Sequence, residues 1–299
     1  SRAKQRGLKL NEYGLFHGDA LVRCSSEEEL FGALGLPYIP PELREDLGEF
    51  ALSETPPLVE QNDLIGVFHC HTIYSDGLNK VEEMARGVRD RGYRYVALAD
   101  HSQSARYASG LSPERVLEQF REIDRVNGIM KDFRILKGIE SDIRTDGALD
   151  YDEELLKQFE LIIVSVHNKL GMTESEATAR VIKAIENPHT TILAHPTGRL
   201  LLGRQGYPLN LDKVFDACLA NTVAVEINAS PQRLDLDWRN VRKAKEKGVK
   251  LCIGPDAHTI GGLDKMGIGL GIARKGWLEP ADLLNCMTAE EFLAWRKSR

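Results

Sequence analysis

Nine side chains of the types that bind transition metals lie at the ends of short apolar runs or in the loops that follow them. They are His69, His71, Asp76, His101, Glu140, His167, His195, Asp256 and His258. A zinc ion uses three or four protein ligands, so nine exceed the needs of one ion. With one carboxylate shared, the set suits two or three divalent ions. Imidazoles mixed with carboxylates accommodate Zn²⁺, Mn²⁺ or Fe²⁺ without selecting among them.

The elements that position these side chains are predicted to be strands alternating with helices. Apolar runs predict strands at residues 64–68, 95–99, 133–138, 161–166, 191–194, 223–227 and 249–253. Between the runs, apolar residues recur at helical spacing, and Ser112-Pro113 is typical of a helix start. This alternation predicts a parallel α/β fold, most simply a barrel. In such barrels the carboxyl ends of the strands form the active-site face, where the nine side chains would meet.

Several polar residues near the strand ends are candidates for binding a substrate. Those suited to a phosphate or to the rest of a substrate are Lys169, Arg199, Arg204, Asn228 and Arg233. Arginine suits bidentate contact with phosphate. A solvated or turn-capping role is about as common for loop residues, so both interpretations stay open for each of the five.

Other residues near the candidate site have simpler interpretations. Tyr74 and Tyr107 can stack on a nucleobase, although packing is the commoner role of such side chains. Asp100 can orient the imidazole of the next residue or only support the end of a strand. Cys70 lies between two ligands, points to the opposite face of its strand, and is expected to be a buried thiol. Two isolated histidines are expected to be ordinary surface residues: His17 and His189.

Composition sets limits on partners and location. The 299 residues are 42% hydrophobic and 28% charged, which is typical of a globular protein, and no apolar run approaches the length of a bilayer span. The net charge of -6 argues against a broad basic surface for nucleic acid, although bound metals would supply positive charge. Five scattered cysteines and a polar start predict a reducing, cytoplasmic location. We expect a monomer with no membrane partner, because no coiled-coil pattern or extended apolar face stands out.

The order and spacing of the nine residues resemble the polymerase and histidinol phosphatase (PHP) domain. The resemblance runs from about residue 65 to 299. It implies a distorted seven-stranded β/α barrel with a trinuclear metal site. One metal would be held by His69, His71, Glu140 and Asp256. Glu140 would bridge to a second metal held by His167 and His195. The third would be held by Asp76, His101 and His258.

Flanking segments resemble one subgroup of that family, the prokaryotic family X DNA polymerases. Residues 8–16 and 33–44 look like the end of the polymerase part, and residues 195–201 and 274–278 also match the subgroup. The resemblance implies the C-terminal portion of such a polymerase. Its parts would be a thumb-like remnant at 1–40, a proline-rich linker at 41–63 and the PHP domain at 64–299. Since no palm-domain carboxylates are evident, we expect no polymerase activity from this chain, which would be attached to a polymerase domain in the full-length protein.

These features together predict a metal-dependent phosphoesterase. A divalent ion lowers the pKa of a water that it binds to about 7. Three ions opposed by three carboxylates leave the site positive, which attracts an anionic ester. The expected activity is a 3′–5′ exonuclease acting on DNA with a 3′ end, in DNA repair, with 3′-phosphatase or abasic-site cleavage as related activities.

Three alternatives stay open from the sequence. The first is a small-molecule phosphatase of the histidinol-phosphate type, which suits the acidic net charge. The second is a non-catalytic, metal-stabilised structural module of a polymerase. Loss of ligand residues would be its signature in the sequence, and no such loss is evident. The third is a carbon–nitrogen hydrolase of the amidohydrolase type, which also begins with a His-x-His pair. Its usual fourth-strand lysine has no clear counterpart here.

Overall fold

The computed structural model describes residues 2–298, and the chain divides into two compact units after Pro57. The division falls inside the predicted linker, 41–63. On the first side of it, short 3₁₀ turns cover Pro41–Leu43 and Glu49–Ala51, and Leu43 is fully buried. The part of the linker before the division therefore contributes to the core of the first unit.

The first unit contains an antiparallel sheet that the sequence analysis missed. Its strands are β1 (Lys9–Asn11), β2 (Gly14–His17) and β3 (Ala20–Val22), paired in that order. The two-residue turn Gly18-Asp19 is a hairpin signal that would have found the second pair, since glycine at φ 59° suits a tight turn. Helix α1 (Arg2–Gln5) precedes the sheet. Helix α2 (Glu27–Ala33) follows it, and the Ser26 side chain caps its start by accepting a hydrogen bond from the backbone N–H of Glu29.

The second unit alternates strands and helices, which confirms the predicted parallel α/β class. Its strands are β4 (Gly66–Cys70), β5 (Tyr95–Leu98), β6 (Arg134–Leu136), β7 (Gly138–Asp142), β8 (Leu161–Ser165), β9 (Ile192–Leu193), β10 (Ala224–Asn228) and β11 (Leu251–Gly254). Its helices are α3 (Val81–Arg89), α4 (Pro113–Ile129), α5 (Glu153–Leu156), α6 (Glu174–Ile185), α7 (Leu211–Ala220), α8 (Trp238–Glu246), α9 (Met266–Lys275) and α10 (Ala289–Lys297). Every strand pair in this unit is parallel.

The predicted third strand, 133–138, contains β6 and ends at the first residue of a second strand, β7, which the sequence analysis did not predict. Strand β6 pairs with β5, while β7 pairs with β8, so the described strands form sheets β4-β5-β6 and β7-β8-β9-β10-β11. The chain passes from one sheet to the other at Gly138, where a Cβ atom would lie 2.2 Å from the carbonyl oxygen of Leu98. Only glycine permits that approach. This change of sheet carries Glu140 into the longer sheet.

The two sheets meet at both of their edges without forming one continuous ladder. An isolated bridge joins His101 to Glu140 at one seam, and another joins Cys70 to Ala257 at the other. At the opposite end of the second seam, the fully buried Asn285 hydrogen-bonds to Gly66 and Ile253. A closed seven-stranded barrel stays a prediction.

Strand residues alternate between two apolar clusters. Val96 and Leu98 of β5 join the cluster that faces the helices, whereas Tyr95 and Ala97 join an inner cluster that the helix residue Phe292 completes. Both faces of each strand are buried, as parallel sheets require. This packing fixes the strand ends on which the candidate site is built. Within the described residues, no helix is both long and apolar enough to span a membrane.

Candidate metal centre

The nine predicted ligands converge at the carboxyl ends of the strands. Their ligand atoms form four overlapping groups, and within each group the atoms lie within 4.8 Å of one another. The groups are His71–Asp76–His101–His258, His69–Glu140–His195, His69–His71–Asp256 and His101–Glu140–His167. Six widely separated segments of the chain are brought into one cluster, which no local sequence signal specifies.

Glu140 lies at the middle of the cluster, on β7, with its side chain almost fully buried. Each of its oxygens faces several imidazole nitrogens. The distances from Oε2 are 2.9 Å to His101 Nδ1, 3.4 Å to His69 Nε2 and 3.8 Å to His71 Nε2, and those from Oε1 are 3.0 Å to His195 Nε2 and 3.3 Å to His167 Nε2. A carboxylate surrounded in this way is placed to be shared between ions.

Two further carboxylates bound the cluster. Asp76 Oδ1 lies 3.2 Å from His258 Nε2 and 3.7 Å from His101 Nε2. Asp256 Oδ1 lies 3.4 Å from His71 Nε2 and 3.6 Å from His258 Nδ1. The side chains of Asp76 and His258 are each 35% exposed, so the cluster is open to solvent on this side.

Charge within the cluster is divided between carboxylates and imidazoles. Burial disfavours the charged form of Glu140, but neighbouring imidazoles, first that of His101, hold its pKa well below the usual range. Burial likewise opposes charge on His167, yet the Glu140 carboxylate and a hydrogen bond to Asp142 raise the pKa of His167 to about 10. Burial and then the imidazole of His101 lower the pKa of His71 to about 3. The ionised Glu140 carboxylate and the neutral His71 imidazole are already in the forms that bind metal ions, whereas His167 would release a proton on binding one.

Three of the nine residues have left-handed backbone conformations. The φ angles are 62° at His69, 26° at His195 and 49° at Asp256. Such conformations are costly for residues other than glycine and persist only where the surroundings impose them. The surrounding structure therefore holds these three residues where their side chains enter the cluster.

The residues fit a divalent metal site by the test of unsatisfied polar atoms. Within residues 2–298, several buried ligand atoms have no hydrogen bond of acceptable geometry. They are His69 Nε2, both ring nitrogens of His71, His101 Nδ1, Glu140 Oε2 and His195 Nδ1. Buried polar atoms without partners are costly, and six in one place indicate a missing common partner. Cations suit lone pairs on nitrogen and carboxylate oxygen.

The geometric groups agree in part with the ligand sets that the family resemblance implies. Asp76, His101 and His258 are together, and His71 joins them. His69, His71 and Asp256 form a second group. Glu140 accompanies His195 in one group and His167 in another, as a bridging carboxylate would. The assignment of each residue to one ion stays a prediction.

Sequence reasoning missed two carboxylates that lie behind the imidazoles. Glu226 on β10 accepts a hydrogen bond from His69 Nδ1 at 2.6 Å, and Asp142 on β7 accepts one from His167 Nδ1 at 2.6 Å. A carboxylate has no proton to donate, so each Nδ1 carries the hydrogen and each Nε2 faces the cluster. For Glu226, the signal available in the sequence was an acidic residue inside the apolar run of β10, whereas Asp142 follows two polar residues of β7 and has no such signal.

Asp100 was a candidate either to orient the His101 imidazole or to support a strand end, and its contacts favour the second role. Its buried carboxylate accepts hydrogen bonds from the backbone and hydroxyl groups of Thr72 and Ser75 and from the side-chain amide of Gln119. Asp100 therefore supports the strand end and shapes the loop that carries Asp76.

The five candidate substrate-binding residues occupy different positions. Asn228 and Arg233 both reach the cluster. The fully buried Asn228 donates to Asp256 Oδ2 at 3.1 Å, and Arg233 Nε lies 3.7 Å from the same oxygen. The guanidinium of Arg199 donates to the carbonyl oxygens of Arg233 and Leu234. The two remaining residues, Lys169 and Arg204, are exposed on loops. The structure thus brings Arg233 and Asn228 to the cluster and directs Arg199 to backbone.

Tyr107 is the aromatic residue at the mouth of the cluster. It is 70% exposed, and its ring centroid lies 6.0 Å from that of His101 and 6.1 Å from that of His167. Tyr74 instead donates from its hydroxyl to Glu122. Cys70 is fully buried in the apolar cluster facing the helices. The two isolated histidines stay outside the cluster: His17 on β2 and His189 beside Glu153.

Comparisons with known proteins identify relatives of both units. Residues 68–229 match the PHP domain model, and residues 1–45 match that of the DNA polymerase beta thumb. The chain is 40% identical over 298 residues to the DNA polymerase/3′-5′ exonuclease PolX of Bacillus subtilis. That match covers 99% of this chain and 52% of the relative, so the chain spans about half the length of that protein.

Phosphatases are the other group of relatives. A probable phosphatase of Clostridium acetobutylicum is 32% identical over 213 residues, covering 66% of this chain and 82% of that protein. The solved histidinol phosphate phosphatase of Lactococcus lactis has a TM-score of 0.54 at 14% identity, covering 72% of this chain and 94% of that one. At that identity the structural likeness establishes the fold alone. The PHP domain model matches residues 68–229, which is more than half of the chain. The chain therefore belongs to the PHP domain family.

Proposed function

We propose that this chain is a metal-dependent phosphoesterase that removes nucleotides from the 3′ end of DNA, with three divalent ions in the cluster. The observation that carries the proposal is the buried Glu140 carboxylate, which lies within 4 Å of five imidazoles and has an oxygen without a hydrogen bond. Such an arrangement lowers the stability of the fold, because buried ionisable groups cost free energy unless they have partners. Its presence therefore supports a functional role.

The chain's own residues have distinct tasks in this proposal. Bound divalent ions would activate water for attack on phosphorus and neutralise the charge of the phosphate. Glu140 would be the carboxylate shared between ions, while Asp76 and Asp256 would supply ligands at the two ends of the cluster. Arg233, beside Asp256, is placed to contact a non-bridging phosphate oxygen. Tyr107 stands at the mouth, where a terminal base can stack on its exposed ring.

The choice of DNA as substrate is supported by the comparisons rather than by the cluster. The thumb-like match at residues 1–45 and the 40% identity to PolX associate this PHP domain with a polymerase. We therefore propose that a polymerase domain accompanies it in the whole protein and that its role is repair of DNA ends.

The test is digestion of a 5′-labelled oligonucleotide by the purified full chain with Mn²⁺, resolved on a denaturing gel. We expect a ladder that shortens from the 3′ end, disappears with EDTA, and falls by at least about 100-fold in Glu140→Gln, because the shared ligand is lost. The matched control is His189→Gln, which removes a histidine outside the cluster and should digest at the wild-type rate. Equal activity of wild type and Glu140→Gln would refute the proposal.

A small-molecule phosphatase is the second candidate, favoured by the 32% identity to a probable phosphatase and by the net charge of -6. The same preparations, given a free phosphomonoester, separate the two candidates. Hydrolysis of the monoester with intact oligonucleotide would establish the second. Bound metal with no hydrolysis of either substrate would favour a structural module instead.

A further inference from the structure

Glu226 is a fully buried carboxylate at the junction of four strand ends, and neither the family resemblance nor the sequence analysis gives it a role. It lies on β10. Its Oε1 accepts from His69 Nδ1 at 2.6 Å, at the end of β4. Its Oε2 accepts from the backbone N–H of His195 at 2.8 Å, after β9, and from Asn228 Nδ2 at 3.2 Å. All three partners are themselves buried.

The strand beside Glu226 leaves room for its carboxylate. A Cβ atom on Gly254, in β11, would lie 2.0 Å from Glu226 Oε1 and 3.2 Å from His69 Cβ. A side chain at position 254 would therefore displace the carboxylate or the imidazole. The glycine permits a close contact that serves Glu226 and His69 together.

Two of the three hydrogen bonds come from residues of the cluster that have left-handed backbone conformations. His69 has φ 62° and His195 has φ 26°, and Glu226 holds the first by its ring and the second by its backbone N–H. Holding the hydrogen of His69 on Nδ1 leaves Nε2 bare, 3.4 Å from Glu140 Oε2 and 3.9 Å from Asp256 Oδ1. That nitrogen is one of the buried atoms without a hydrogen bond among the residues that the structure describes.

We propose that Glu226 is the positioning residue of the metal centre: it sets the tautomer and orientation of His69 and the backbone position of His195, so that both present their ligand atoms together. The inference rests on the proposed metal centre but not on the proposed DNA substrate. Hydrogen bonds of this kind orient a ligating imidazole and increase its basicity, and their loss typically weakens metal binding 10- to 100-fold.

Glu226→Gln is the sharp variant because it keeps the size and shape of the side chain. A carboxylate accepts at both oxygens, whereas a carboxamide has one accepting oxygen and one NH₂ group. The NH₂ group must face either the hydrogen on His69 Nδ1 or the N–H of His195. One contact becomes a clash between donors, or His69 moves its hydrogen to Nε2, where a metal cannot bind.

The experiment measures zinc affinity of the full chain by competition with a coloured chelator, alongside thermal unfolding of the metal-free protein. We expect Glu226→Gln to weaken binding of at least one zinc ion by about 10- to 100-fold. In the zinc-loaded wild type, ¹⁵N spectra of the histidine rings should show His69 with its hydrogen on Nδ1. Should Glu226→Gln fail to fold, Glu226→Asp keeps the charge but cannot reach His69 and His195 together, and the same loss of affinity is expected.

The matched control is Asn285→Ala, which removes an equally buried residue that also makes three hydrogen bonds and joins β4 to β11 at their other end. It should lower the unfolding temperature and leave zinc affinity unchanged. The inference would be overturned if Glu226→Gln, like the control, lowered the unfolding temperature and left zinc affinity unchanged. Wild type that binds no zinc would overturn the metal centre as well, whereas loss of nuclease activity with zinc affinity intact would bear only on the DNA substrate.

Discussion

Around Glu140, the balance of charge differs from what the nine ligands alone imply. Asp76, Glu140 and Asp256 would leave three divalent ions with an excess of three positive charges. Adding Glu226 and Asp142, both buried behind imidazoles, reduces that excess to one. With three bound ions, the centre would attract an anionic substrate less strongly than the ligand set indicates, and a nearby cation would gain importance. Arg233, 3.7 Å from Asp256, is that cation.

Tyr107 is the residue whose change should separate the two candidate substrates. Tyr107→Ala removes the exposed ring at the mouth of the cluster, where it would stack on a terminal base. Base–aromatic stacking contributes about 1–3 kcal/mol, so we expect KM for an oligonucleotide to rise roughly 5- to 150-fold. Turnover of a phosphomonoester without a base should not change.

The control for Tyr107 is Tyr13→Ala, which removes an equally exposed ring from the first unit. Steady-state kinetics on both substrates give the comparison. A parallel loss on the two substrates in Tyr107→Ala would contradict the stacking role and indicate damage to the cluster itself.

Asp235 should make stability depend on pH. Burial raises the pKa of this carboxyl to about 6, although it accepts hydrogen bonds from the backbone N–H groups of Thr197 and Gly198. The folded state thus favours the protonated form. Its stabilisation is complete below the unfolded value near 3.8 and is lost as pH rises through 6. The pKa difference of about two units corresponds to about 3 kcal/mol.

The measurement is urea unfolding of wild type and Asp235→Asn at pH 4 and pH 7. The carboxamide oxygen still accepts from Thr197 and Gly198 but does not ionise, so the variant should gain stability relative to wild type as pH rises. A difference between the two proteins that stays constant with pH would show that Asp235 does not titrate in this range.

At the scale of secondary-structure elements, helix α6 braces the loops that carry the centre. Its buried Arg180 donates to the carbonyl oxygens of Ile143, Arg144 and Asn168, in the loops after β7 and β8. Asp142 ends β7, and His167 follows β8. One guanidinium thus ties together the two loops whose side chains form the Asp142–His167 hydrogen bond.

Arg180→Met should destabilise the protein because the buried carbonyl oxygens lose their donors. We expect a loss of about 3 kcal/mol in the free energy of unfolding, measured by urea denaturation. Lys183→Met, on the same helix, removes an exposed hydrogen bond to Asp146 and should cost under about 1 kcal/mol. Equal effects of the two substitutions would mean that Arg180 is not the brace that its contacts indicate.

At the scale of the whole molecule, the division after Pro57 separates the polymerase-like unit from the metal centre. All nine ligands and both large apolar clusters lie within residues 58–299. We expect a chain that begins at Leu58 to unfold in a single cooperative transition and to bind zinc with unchanged affinity. Calorimetry and chelator competition check this, and a truncated chain that is unfolded or metal-free would show that the first unit is needed for the second.

Sequence reasoning singled out the nine residues that the structure brings together, because they end apolar runs or lie in the loops that follow, and parallel strands bring their carboxyl ends to one edge. The spacing of the apolar residues also predicted the α/β class, and Ser112-Pro113 predicted the start of α4. These are local signals, since they depend on residues that are neighbours in the chain.

The contacts between residues that are distant in the chain depend on the tertiary structure. The change of sheet at Gly138, between β6 and β7, depends on the carbonyl oxygen of Leu98, 40 residues earlier in the chain. The hydrogen bond between Glu226 and His69 joins residues 157 positions apart. Hydrogen bonds and close contacts across the fold are set by the packing of whole elements. For that reason the nine candidate ligands could be predicted from the sequence, whereas the hydrogen bonds that position them, such as that between Glu226 and His69, could not.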